Sequence, residues 1–187
     1  MPTSSAILYG LIVGCEAAFW LVLVFALAAR YLLRKEQLSR ALLFLLPVTD
    51  LLLLAFTTVD LKSGSPATFA HGLAAAYVGF TVAFGSVAVR WADRHFAFRF
   101  AGGPPPIKAP SHGWLAVRYE LALWFRSIVA WTIALVLLVG LIAYIDNEAV
   151  TEPLREWFQI AFGSIFVWFI FGPAWSLVFF RRTATPR

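Results

Sequence analysis

Residues 127–145 read SIVAWTIALVLLVGLIAYI, nineteen positions without a charge. At 1.5 Å of rise per residue such a run, wound as a helix, covers about 28 Å, close to the roughly 30 Å hydrocarbon thickness of a bilayer. No alternation of polar and apolar residues breaks it, so a strand of a membrane barrel does not fit. The stretch is read as a membrane-crossing helix. Four comparable stretches follow from the same criterion, at residues 6–29, 41–59, 67–89 and 157–180. The chain is expected to be all-α, a single polytopic membrane domain over residues 1–187 with five crossing helices. Its composition agrees, with 61% hydrophobic and 13% charged residues. Soluble domains carry about 25% charged residues.

The intervening loops are unevenly charged. Arg30, Arg34, Lys35 and Arg40 fall in the first, and Arg90, Arg94, Arg99, Lys108, Arg118 and Arg126 in the third. Arg181, Arg182 and Arg187 follow the fifth stretch, so thirteen of the fifteen basic residues lie in alternate connections, on one side of a five-crossing chain. The second and fourth loops hold only Lys62 and Arg155, and the fourth carries Asp146, Glu148, Glu152 and Glu156. Lysine and arginine collect on the cytoplasmic side. The expected threading is therefore N-terminus outside and C-terminus cytoplasmic, with loop 90–126 inside. Basic residues sorted in this way give no nucleic-acid surface. The first stretch lacks a basic n-region and is too long for a cleaved signal, so it is expected to be retained.

Loop 90–126 has two parts. Residues 91–100 are expected to prolong the third helix into the headgroups. Gly102-Gly103-Pro104-Pro105-Pro106 then breaks it, because successive prolines lack the amide hydrogen and clash within a helix. Residues 113–125 (GWLAVRYELALWF) are apolar but contain Arg118 and Glu120. They are expected to form an interfacial helix on the inner leaflet before the fourth crossing, with a longer tilted fourth helix as the competing reading. Trp91, Trp114 and Trp157 are placed at interfaces, as aromatic-belt residues. Asp93 is assigned to an ion pair with Arg90 or Arg94.

Small residues set close helix approach in lipid. Gly10 and Gly14 form a GxxxG, and Gly72, Ala76 and Gly79 give the third helix a small face. These suit packing within the chain, or a homo-oligomer seam. Pro173, after Gly172, is expected to kink the fifth helix. Cys15, the only cysteine, has no disulfide partner in the chain and reads as a small hydrophobe.

Acids within crossing helices are costly and mark candidate sites. Glu16 lies about ten residues from the outer end of the first helix, and Asp50 about ten from Asp60. Both fall about 15 Å deep, near the midplane. Joined by a short loop, the first two helices are expected to be antiparallel neighbours. Glu16, Asp50, Asp60 and His71, with the hydroxyls of Thr57 and Tyr77, are expected to line one outward-facing polar pocket. Mutual satisfaction of these groups within the bundle is the plainer alternative. A lone membrane histidine gives no bis-histidine haem. HExxH, G-x-S-x-G and phosphate-loop patterns are absent from the sequence. No enzyme and no cofactor are expected, and the identity of any bound metal is left open.

The runs Gly14-Cys-Glu-Ala-Ala-Phe-Trp20, Pro47-Val-Thr-Asp50, Asp60-Leu-Lys-Ser-Gly64, Ala70-His-Gly-Leu-Ala-Ala-Ala-Tyr-Val-Gly79 and Trp91-Ala-Asp-Arg94 together resemble the YmcC-like bacterial integral membrane proteins, over about residues 14–96. That resemblance implies a small multipass protein of the bacterial cytoplasmic membrane and brings no reaction or ligand with it. The functional expectation is a non-enzymatic accessory, scaffold or small-ligand and lipid-binding bundle. Its partners would be the lipid bilayer and a membrane protein or a second copy. A proton- or cation-coupled transporter using Glu16 and Asp50 is the alternative. An intramembrane enzyme using His71 with Asp50 or Asp60 is the weakest reading.

Overall fold

A computed structural model describes residues 2–179, except for the side chains of residues 2–9, 11–13, 15 and 16. Every regular element in it is helical. Four long helices come first: α1 (Pro2–Tyr31), α2 (Glu36–Lys62), α3 (Phe69–Phe100) and α4 (Gly113–Ile145). A short α5 (Glu148–Thr151) and a 3-10 turn (Glu152–Arg155) lead into α6 (Glu156–Phe169). A π-helical turn (Ile170–Ala174) then joins α6 to α7 (Trp175–Val178). Helices α2, α3, α4 and the continuous stretch Glu148–Val178 are each long and apolar enough to cross a membrane, and Ala17–Tyr31 of α1 is a shorter apolar helix. The protein is a helical membrane bundle. Its lipid-facing surface is apolar, with Leu51, Leu52, Phe56, Val136, Phe162 and Phe166 all exposed.

Helix α3 is the hub. Its residues sort by the 3.6 period into two faces. Gly72, Ala76, Gly79 and Ala83 turn toward α4 and α6, where Trp131, Ala134, Leu138 and Ala161 form the largest core cluster. Tyr77, Thr81 and Phe84 turn toward α1 and α2. The first face is small because the helices touch there. A Cβ built on Gly79 would collide with the Ala130 carbonyl, and one on Gly72 with the Trp157 indole. The small residues of α3 thus serve packing within the chain. The position of Trp157 corrects the expectation of an interfacial ring: it is 3% exposed, seated over Gly72 and 4.7 Å from the Phe69 ring. On α1, a Cβ on Gly10 or Gly14 would meet no described atom within 4 Å.

The loops gather at two ends. At one, the Ala67 amide donates to the Val150 carbonyl at 2.8 Å, and Lys62 reaches the Tyr144 carbonyl at 3.4 Å. At the other, Tyr31 donates to Asp93 at 3.0 Å and Arg30 lies 3.4 Å from the same carboxylate. Asp93 therefore pairs with α1, and not with Arg90 or Arg94 on its own helix. The first end holds the acidic fourth loop beside the second; the other end carries the basic loops.

Residues 113–126 are not a separate interfacial helix. They are the first part of α4, a single element of 33 residues. The physical reason is tertiary. No proline interrupts 113–145, and one face of the early turns packs into the bundle while Trp114 and Leu115 stay exposed. Ala116 and Val117 are buried, the Trp124 ring lies 5.1 Å from Phe169, and its indole N–H donates to the Ile165 carbonyl at 3.1 Å. Helix α3 likewise runs on to Phe100, where the Ala101 and Gly103 amides both close on the Ala97 carbonyl and Gly102 takes φ +67° before the prolines. At 32 residues it is about 48 Å long, more than a bilayer core requires. Pro173 sits within the π-helical turn Ile170–Ala174, a wider turn that absorbs the missing amide.

Candidate functional site

The polar residues singled out in the sequence do not converge on one pocket. They form two separate groups along the α2–α3 interface.

The first group closes the acidic end. Thr68 caps α3, and His71, at the third position, returns its ring to the cap: the Thr68 backbone N–H donates to His71 Nδ1 at 3.0 Å. A nitrogen that accepts from an amide carries no proton, so the neutral ring is protonated at Nε2. That N–H donates to Asp60 Oδ2 at 3.0 Å, and Ser65 donates to Asp60 Oδ1 at 3.0 Å. His71 is 1% exposed. Every polar atom of this ring is occupied, as is each Asp60 oxygen, so the group is built to staple the α2–α3 turn. His71→Ala would leave the Thr68 amide and Asp60 without these partners. Loss of a cap and of a buried hydrogen bond costs about 2 kcal/mol together. A drop of several degrees in the melting temperature of the detergent-purified protein is the expected result.

The second group lies deeper. Asp50 is 5% exposed, and its Oδ2 atom is fully buried with no hydrogen-bond partner among the described residues. The Thr81 side chain is within reach of the same carboxyl. Asp50 opens onto a cavity of about 230 Å³ between α1, α2 and α3, walled by Phe19, Trp20, Phe80 and Phe84. Tyr77 and Thr81 also line it. The α3 wall is braced from behind: Phe80 meets Trp131 of α4 edge-on at 5.4 Å, and Phe84 stacks on Trp168 of α6 at 5.7 Å. Trp20, one of the lining residues, is 52% exposed. Towards the acidic end, Leu53, Thr57 and Leu61 are buried between α2 and its neighbours. Thr57 is fully buried, its hydroxyl has no partner among the described residues, and it does not line the cavity.

Of the expected pocket, then, Asp50 and Tyr77 share a cavity, while Asp60 and His71 lie elsewhere and engage each other. Glu16 belongs to α1, but its side chain lies outside the described residues. Among the described residues no three His, Cys, Asp or Glu side chains gather as a metal site. The aromatic wall was missed in the sequence, although Tyr77, Thr81, Phe84 and Ala88 recur at helical spacing and signal one face. Arg126 was also missed. It is not a loop residue but part of α4, donating from Nη1 to the Ala83 carbonyl of α3 at 3.0 Å.

Over 145 residues the chain is 41% identical to a protein of Bacillus subtilis (strain 168) described as "Uncharacterized membrane protein YmcC", an alignment that covers 77% of each. No protein-family model matches the chain. No solved structure matches it either.

Proposed function

This chain belongs to the YmcC family of membrane proteins, and on that footing we propose that it is a non-enzymatic bundle that holds a small lipid-like ligand in the Asp50 cavity. The observation that carries this reading is Asp50 in the lining of an aromatic-walled cavity, with a buried Oδ2 that has no partner among the described residues. A polar atom removed from water without a partner is costly, and more so in lipid. A ligand that supplies the missing partner offsets that cost. Trp20 of the lining is half exposed on an apolar helix, and the ligand enters past it from the bilayer. In the proposed threading the acidic end faces outward and the basic end faces the cytoplasm of a bacterial cell, which places the cavity near the midplane.

Coupled ion transport would need a polar route from Asp50 to one surface. The buried Leu53 and Leu61 argue against one on the acidic side. The test is mass spectrometry of lipids that co-purify in mild detergent. The wild-type protein is expected to retain one amphiphile in near-stoichiometric amount, and Trp20→Ala with Phe84→Ala to lose it. Proteoliposomes should show no Asp50-dependent proton or sodium flux. Such a flux, abolished by Asp50→Asn in a folded protein, would replace this reading with transport.

A further inference from the structure

We infer that the cavity selects an amphiphile with a cationic head, an ammonium or comparable lipophilic cation. This rests on the binding reading above and narrows its ligand class. Two independent features of the cavity agree on the charge. Its lining includes the Asp50 carboxyl, whose buried Oδ2 has no partner among the described residues, and an ionised carboxylate only accepts hydrogen bonds. Its lining is rich in aromatic rings, Phe19, Trp20, Phe80 and Phe84, a side-chain class that attracts cations through its π electrons.

The described lining holds no lysine, arginine or histidine, so an anionic head would find no cation there to offset repulsion from Asp50. A neutral alcohol could donate to Asp50 but would gain little from the rings. The braced positions of Phe80 and Phe84 against Trp131 and Trp168 mean that the α3 wall is formed before the ligand arrives, which limits the ordering cost of binding. The head sits at Asp50 and the hydrocarbon body leaves past Trp20 into the lipid.

Equilibrium dialysis of the detergent-purified protein against radiolabelled decylammonium, whose head carries N–H donors, and radiolabelled decanol, with decanoate as competitor, tests this. The ammonium is expected to bind saturably and at least about tenfold more tightly than decanol, with decanoate failing to compete. Asp50→Asn is expected to lower ammonium affinity to the level of decanol and leave decanol unchanged. Phe84→Leu keeps the wall apolar but removes a ring, and should weaken the ammonium alone by about fivefold. Equal binding of ammonium and decanol to the wild type, unaltered in both variants, would overturn the cation preference and leave a neutral-lipid site standing. Absence of saturable binding by any of the three probes to the folded wild type would sink the binding reading and this inference together.

Discussion

Asp50→Leu is expected to raise the melting temperature of the purified protein while abolishing ligand binding. An aspartate at the centre of a crossing helix costs about 2.5–3.5 kcal/mol on insertion scales, and leucine is favourable there. In this protein the cost is not recovered through a full set of hydrogen bonds, because Oδ2 is buried without a partner among the described residues. The neighbouring Thr81 leaves that oxygen unserved. Leucine at position 50 would continue the leucine run 51–54 and fill part of the cavity beside Leu53. A gain of about 2 kcal/mol is expected, after discounting for imperfect packing of the branched chain. Stabilisation with loss of activity is the usual signature of a functional residue held at a cost to the fold. A lower melting temperature would identify the carboxyl as a structural strut and remove the physical basis of the site.

His71 shows how a structural role looks by contrast. It was singled out together with Asp50, since both are ionisable residues within apolar runs. Bonding separates them: each His71 ring nitrogen has a partner, whereas an Asp50 oxygen has none among the described residues. Sequence depth alone could not make that distinction. Eleven residues and a turn separate Asp60 from His71, and their meeting depends on how the turn closes. The Thr68-x-x-His71 spacing is the position of a capping box, whose third residue is usually glutamate or glutamine. Histidine there hid the motif.

Helix existence was legible because lipid imposes its own composition. A crossing segment must be apolar over about 20 residues whatever it packs against. Rotation about each axis was not legible, because both sides of a membrane helix are apolar and no polar face marks the outside. That is why the face of α3 toward the cavity and its face toward α4 emerge only from contacts. The end of loop 90–126 failed for a related reason. Arg118, Glu120 and Arg126 signalled a boundary by charge, yet α4 passes through all three. Arg126 is tolerated because its guanidinium reaches a backbone carbonyl on α3.

Gly79→Val is expected to be the most destabilising single change in the described bundle. Helices α3 and α4 meet at Gly79, where the α3 backbone rests on the Ala130 carbonyl of α4. Ala130 and Ala134 are fully buried on the facing side. A Cβ at position 79 would collide with that carbonyl, a backbone atom that cannot rotate away as a side chain could. The helices must therefore part along the seam. Parting them loosens Trp131, Leu138 and Ala134, which form the main core, and moves Phe80 and Phe84 away from their supports. Overpacking of a dense core typically costs 1–3 kcal/mol, and a clash against backbone belongs at the upper end, about 3 kcal/mol. Helix propensity cannot compensate, since relieving glycine gains at most about 1 kcal/mol. Gly140→Val on α4 is the matched control. A Cβ there meets nothing within 4 Å, so its melting temperature should stay near that of the wild type. Thermal unfolding followed by size-exclusion chromatography compares the two. Equal behaviour of the variants would mean that α3 and α4 do not touch at Gly79, and the braced wall of the cavity would lose its foundation.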